Sequence, residues 1–165
     1  MLRVFKLLLL LLSLFPAMLL AAPMPEIDAD SPIYEVPVAA GVSYDDVVTS
    51  LKVAAEGENF VSPATFPIGE HMRQRGLPVD GVMEVRTYCN LGLGAEIFLD
   101  HPEFLVFAPC RIAIYEKKGQ LYLAMDRPSF DLKYIKNPSE RAKKAAQQLE
   151  DTLISILGKA RNGEL

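Results

Sequence analysis

Tyr34, Val36 and Val38 alternate with Glu35 and Pro37, the period of two that marks a strand, and Pro37 places that strand at an edge or near its end. Ser43 then precedes Val47, Val48, Leu51, Val53 and Ala54, an apolar stripe at helical spacing. Asp46 completes a capping box with Ser43, and Gly57 stops the helix. Phe60 to Phe66 predicts a second strand bent at Pro63. Pro67 to Arg75 predicts two helical turns ending at Gly76, with a loop from Leu77 to Gly81. Val82 to Cys89 returns to period two, with Met83, Val85, Thr87 and Cys89 sharing one face. A short helical segment, Gly94 to Leu99, follows. Phe104 to Phe107 then leads through Pro109 into a strand from Cys110 to Glu116, where Cys110 shares parity with Ile112 and Ile114. Lys117-Lys118-Gly119-Gln120 is a tight turn, and Leu121 to Met125 is its hairpin partner.

The clearest element is last. Asn137 caps, Pro138 takes the first helical position and Glu140 closes a capping box. Ala142, Ala145, Ala146, Leu149, Leu153, Ile156 and Leu157 line one face, and Gly158 terminates. The element order predicts an α+β fold: a two-layer domain, mainly antiparallel sheet with helices packed on one face, and a long C-terminal helix.

Before the first strand the pattern changes character. Arg3 and Lys6 precede the apolar run Leu7 to Phe15, and Ala21 and Ala22 are small residues near a cut, the three parts of a secretory signal peptide. Cleavage after Ala21 keeps Pro23 from sitting directly beyond the scissile bond. The run to Ala22 is short for a membrane span and is broken by Ser13 and Pro16, so no stable span is expected after cleavage. The expected organisation is a signal peptide over 1–21, an exposed leader over 22–32 and a single domain over 33–160, in the periplasm or secreted. Loss of the signal removes two basic residues and no acidic one, leaving 15 Lys and Arg against 21 Asp and Glu, a net charge of −6. That balance excludes nucleic acid as the expected partner.

Candidate chemistry is sparse. Val85-Arg86-Thr87-Tyr88-Cys89-Asn90, then Phe107-Ala108-Pro109-Cys110-Arg111-Ile112-Ala113-Ile114-Tyr115-Glu116, then Ala124-Met125-Asp126-Arg127-Pro128 together resemble the family called domain of unknown function 302, over roughly Tyr34 to Leu157. Members usually carry a proline after Cys-Asn; Leu91 stands there in this chain. The resemblance implies a compact α+β domain with an antiparallel sheet, often dimeric, and no particular reaction. A homodimer through the sheet or the long helix is the expected assembly.

The two cysteines, Cys89 and Cys110, are the only ones in the chain. In an exported protein they admit three readings: a structural disulfide worth about 3 kcal/mol for a loop of this size, two unpaired thiols filling the core, or a reactive or ligating pair. Arg111 beside Cys110, and a helix start beyond Cys89, would favour a thiolate. Asn90, Pro109, Arg111 and Met125 are the candidate neighbours. His71, Met72, Met83, Cys89, His101, Cys110 and Met125 are ligand types that suit copper, but Met83 and Cys89 on one strand are about 20 Å apart. No cofactor is predicted, and a soft metal stays open as an alternative.

Gly92-Leu93-Gly94 is not a dinucleotide loop, because Ile97 occupies the third glycine position. No serine lies in a nucleophile elbow, and C-x-x-C is absent. Arg73, Arg75 and Arg86 have Glu70, Asp80 and Glu84 alongside, which reads as a mixed solvated surface. The leading expectation is a non-catalytic exported domain that binds a small ligand or a protein partner. A thiol redox or soft-metal site on Cys89 and Cys110 is the alternative.

Overall fold

The computed structural model describes residues 23–165. The expected signal peptide lies outside the described residues. Five strands form one antiparallel sheet: β1 (Ile33–Pro37), β2 (Thr65–Phe66), β3 (Met83–Tyr88), β4 (Cys110–Lys117) and β5 (Gln120–Asp126), in the order β1-β5-β4-β3-β2. Helices α1 (Tyr44–Gly57), α2 (Ile68–Arg73), α3 (Leu91–Phe98), α4 (Pro128–Asp131) and α5 (Glu140–Arg161) connect or follow the strands, with 3-10 turns at Pro102–Phe107 and Leu132–Tyr134.

Helices α1, α3 and α5 cover one sheet face. The core lies there, where Val36, Ile112, Ile114 and Leu123 of the sheet meet Leu51 of α1 and Leu153, Ile156 and Leu157 of α5. This is the two-layer α+β arrangement that the hydrophobic pattern predicts. On the opposite face α2 lies against Met83 through Gly69 at the β3 end, and Ile33, Phe66 and Met83 are exposed there. Tyr115 and Tyr122 stack on the same face at 5.8 Å. A sheet that meets water on one side normally alternates apolar with polar residues; here Glu35, Lys117 and the Arg111–Asp126 ion pair share the open face with these apolar side chains.

Several element boundaries differ from the sequence reading. The second strand shrinks to Thr65–Phe66, because Pro63 interrupts the ladder and upstream only Val61 bridges to Cys89. Helix α3 starts at Leu91 rather than Gly94, since the Asn90 side chain accepts from the Leu93 N–H at 3.0 Å. Ser139, not Asn137, caps α5: its hydroxyl accepts from the Ala142 N–H at 3.1 Å, while Asn137 sits at φ 53 before the helix. Nor does Gly158 end α5. Ala160 beyond it is fully buried, and the Arg161 carbonyl accepts from the Ala39 N–H at 2.8 Å, so packing carries the helix one turn further.

Residues 23–32 are exposed, yet they are strapped to the domain through their carbonyls. Arg161 Nη1 donates to Pro23 at 3.1 Å, and the Tyr34 hydroxyl donates to Pro25 at 2.9 Å. Arg127 Nη1 donates to Asp28 and Ser31 at 2.6 and 2.8 Å. Arg127 is itself buried, its charge met by Glu150 at 2.9 Å. Among the described residues no helix is long and apolar enough to cross a membrane.

Candidate functional site

The β3–β4 register sets Tyr88 directly opposite Cys110. Strand β3 then ends, and Cys89 leaves the face it would occupy by strict alternation. It exchanges two backbone hydrogen bonds with Val61, both 2.9 Å. Cys89 and Cys110 consequently line the same cavity, closed by Asn90, Gly94, Phe98, Phe104, Phe107, Pro109, Asp126, Asp131 and Leu149. The three phenylalanine rings contact one another in sequence, with centroids 6.4 and 5.4 Å apart. Space open to the centre of a water-sized sphere is only about 20 Å³. That holds one water and no organic ligand.

Asn90 links this cavity to its surroundings. Its Nδ2 donates to the Glu58 carbonyl at 3.1 Å while its Oδ1 caps α3. Leu91 is the first residue of α3, the position where proline is also favoured, so the departure from Cys-Asn-Pro leaves the helix start intact. The peptide before Pro109 is cis.

No bond joins the thiols, and both are held protonated. Burial pushes the Cys89 thiol above its ordinary range. Burial pushes Cys110 up to about 12, with added repulsion from Asp126, Cys89 and Asp131. The expected help from Arg111 does not arrive. Its side chain is on the other sheet face, bound to Asp126 at 2.8 Å, and its own N–H donates to the same carboxylate at 2.8 Å. Met125 is buried in the core between its ladder neighbours Tyr34 and Ile112, and is not part of the cavity wall.

Asp131 is the group the sequence reading missed. It arrives on α4, a single turn opened by Pro128, and its carboxylate accepts no hydrogen bond from a described residue. Burial, then the negative charge of Asp126, raises it to about 6 despite the opposing pull of Arg111. Spacing gave no hint of this pairing with Cys110, because chain and register bring the two together from 21 residues apart.

Copper-type ligands are not gathered. His101 Nε2 accepts from the Ser139 N–H at 2.9 Å, Met83 is exposed on the open sheet face, and His71 is exposed on α2. Among the described residues no three His, Cys, Asp or Glu stand close enough to hold a metal ion. A soft ion would have two sulfurs and no third protein ligand of these types.

A second feature lies on the other side of Tyr88. Val48, Lys52, Ala55 and Glu56 of α1 share one helix face and, with Phe60, Val61, Ser62, Arg86 and Tyr88, enclose a groove of about 420 Å³ by the same measure. Its floor is apolar and aromatic. Arg86 is half-buried beside it, held by Glu84 at 2.7 Å and by the Tyr44 hydroxyl at 3.3 Å. Tyr44 in turn donates to Glu84 at 2.8 Å. Among the described residues, Arg86 Nη1 and the Lys52 ammonium have no partner, so two cations face one carboxylate of the groove lining, Glu56.

Residues 34–157 match the family model described as a domain of unknown function, DUF302. An uncharacterized protein of Aquifex aeolicus (strain VF5) is 37% identical over 78 residues, which is 47% of this chain and 48% of that protein. The chain thus spans about half the length of this curated relative. The crystal structure of an uncharacterized conserved DUF302 protein from Bacillus stearothermophilus superposes with a TM-score of 0.70 at 21% identity, covering 78% of this chain and 98% of the other. At that identity the likeness speaks for the fold.

Proposed function

This chain belongs to the family described as a domain of unknown function, DUF302, a name that assigns no reaction, and on that footing we propose that it is an exported, non-catalytic domain binding a small amphipathic anion in the groove between α1 and β3. The observation that carries the reading is the groove: room of about 420 Å³ over an apolar floor of Val48, Ala55, Phe60, Val61 and Tyr88, with Lys52 and Arg86 donating from its walls. That combination is what small-molecule sites are built from. The apolar body of the ligand lies against Val48 and Val61, with the nearly buried Phe60 and Tyr88 behind them, and its anionic head meets Lys52 and the free Nη1 of Arg86. Catalysis is disfavoured by the protonated thiols and by a cysteine cavity with room for a single water. The exposed Ile33, Phe66 and Met83 of the open sheet face support pairing with a second copy of the chain.

Affinity should be modest. A ligand of about 15 non-hydrogen atoms, at about 0.3 kcal/mol each, binds with about 4.5 kcal/mol, a Kd of about 0.5 mM or tighter. The test is a titration of the purified domain with the anionic amphiphile 1-anilinonaphthalene-8-sulfonate. Saturable one-to-one binding, weakened about tenfold by Lys52→Glu and unchanged by Lys136→Glu on a distant surface, is expected. Unsaturable binding, or equal affinity in Lys52→Glu, overturns the groove. Export is tested separately by the mass of protein released from an expressing bacterium, which should begin at Ala22; a full-length product retained in the cytosol refutes it.

A further inference from the structure

We propose that Cys89 and Cys110 form a thiol–disulfide latch, closed by exchange with a low-molecular-weight disulfide of the glutathione type, that sets the shape of the groove on the far side of Tyr88. The latch itself stands on the cysteine cavity, whereas its effect on ligand rests on the groove reading above. Three observations bring the parts together. Both sulfur-bearing residues line one cavity, and the β3–β4 register fixes Cys110 opposite the residue just before Cys89. Tyr88 lines both the cavity and the groove. Val61, also a groove residue, exchanges two backbone hydrogen bonds with Cys89.

The chemistry proceeds in two exchanges. The Cys89 thiolate attacks one sulfur of the external disulfide; a Cys89–glutathione bond forms, and the first glutathione leaves as thiolate and takes a proton from solvent. Cys110 then gives its proton to the Asp131 carboxylate across the cavity, and its sulfur attacks the Cys89 sulfur. The Cys89–Cys110 bond forms as the second glutathione leaves and is protonated. Two protein thiols are oxidised and one disulfide is reduced to two thiols. Entry at Cys89 follows from its milder perturbation and its partial exposure: the external disulfide stays in solvent, since the cavity admits only a water, and meets the Cys89 sulfur from outside. With Cys110 pushed up to about 12, only about one molecule in 10⁵ carries its thiolate at pH 7, so the second exchange is slow and Asp131 governs it. Such a pair behaves as a latch thrown once on reaching an oxidising compartment, and not as a turnover catalyst.

Closing the bond pins the end of β3 and, through it, Tyr88 and Val61. A wall fixed in advance loses less freedom when ligand binds.

The experiment incubates the purified domain with oxidised glutathione and follows it by intact mass and thiol titration. Wild type should lose two protons' mass and both free thiols without retaining glutathione. Cys110→Ser should stop at a stable glutathione adduct, and Cys89→Ser should take up glutathione at least about tenfold more slowly. Asp131→Asn should accumulate the Cys89–glutathione adduct before closing, while a general loss of folding would expose both thiols at equal rates. Absence of the intramolecular bond, with both thiols persisting or cross-linking between chains, overturns the latch whatever the ligand result. Binding of 1-anilinonaphthalene-8-sulfonate should be about three- to tenfold tighter in the closed form. Equal affinity in the two forms refutes the coupling, and no binding in either form, with the bond still closing, refutes the groove and leaves the latch standing.

Discussion

Replacing Asp131 by asparagine should stabilise the reduced domain at neutral pH, although it removes a buried charged residue. The native carboxyl sits at about 6 against an ordinary value of 3.8, because burial and the negative charge of Asp126 oppose its ionisation. Native Asp131 therefore holds its proton to higher pH than the unfolded chain does. Below about pH 3 both states are protonated and the residue costs nothing. As pH rises through 4 to 6 the unfolded state ionises first, and stability falls; above about 6 the full penalty is present. Two pKa units amount to about 3 kcal/mol, which solvent reaching one side of the carboxylate reduces to about 1–2 kcal/mol. Asparagine keeps the shape and sheds the charge, so Asp131→Asn should gain about 1–2 kcal/mol at pH 7, a rise in Tm of about 3–6 °C. Urea melts of both proteins at pH 4, 5, 6 and 7, with the thiols kept reduced, measure the difference while the remaining titrations cancel. A variant less stable than wild type at pH 7, or an advantage that persists undiminished at pH 4, would refute the electrostatic account of this cavity.

Two further outcomes probe other parts of the molecule. Glu150→Ala leaves the Arg127 guanidinium buried without its counter-charge and strips the acceptor from Ser129, so it should cost about 3–5 kcal/mol in denaturant melts. It should also speed proteolysis within residues 23–32, whose carbonyls Arg127 holds; a loss under about 1 kcal/mol would show that the strap carries little. For the open sheet face, sedimentation should report a dimer for wild type and a monomer for the Val85→Lys, Ala113→Lys double variant, whose lysines lie side by side on that face. A wild-type monomer at tens of micromolar would dispose of the sheet-to-sheet pairing.

The sequence carried most of the fold because its strongest signals are local. Ser43 and Asp46 form their capping box as the spacing predicts, the 117–120 turn closes the β4–β5 hairpin, and the α5 stripe buries the residues its periodicity names. Errors arose where tertiary contacts choose between equal local options. Asn137-Pro138-Glu140 and Ser139 are both plausible helix starts. Ser139 wins because its hydroxyl also donates to Asp100 at 2.7 Å and its N–H to His101 Nε2 at 2.9 Å, partners almost 40 residues away. Period two placed Cys89 with Met83 and Val85 on the open face; a strand that stops at Tyr88 redirects it, and no residue near Cys89 announces that stop. Arg111 adjoins Cys110 in sequence and faces away from it in space, as alternation along β4 requires. The groove was illegible for a different reason. Its walls come from α1, the 60–62 segment and β3, each of which reads alone as ordinary amphipathic structure, and Arg86 beside Glu84 resembles any surface ion pair.

Asp131 is where stability and the latch pull apart, and that opposition discriminates a working residue from a merely tolerated one. A carboxylate with no part in the exchange would give the same gain in stability on becoming asparagine and leave the order of thiol exchange unchanged. One kept as the proton acceptor for Cys110 should give that firmer domain and also stall with glutathione on Cys89. The cavity that raises Asp131 toward neutrality also suppresses the Cys110 thiolate, since the same burial and the same Asp126 charge act on both groups. Deprotonating so weak an acid in so dry a space requires a base that is itself ill at ease there. Asp131 is that base among the residues lining the cavity, because Asp126 is already engaged by two donors of Arg111.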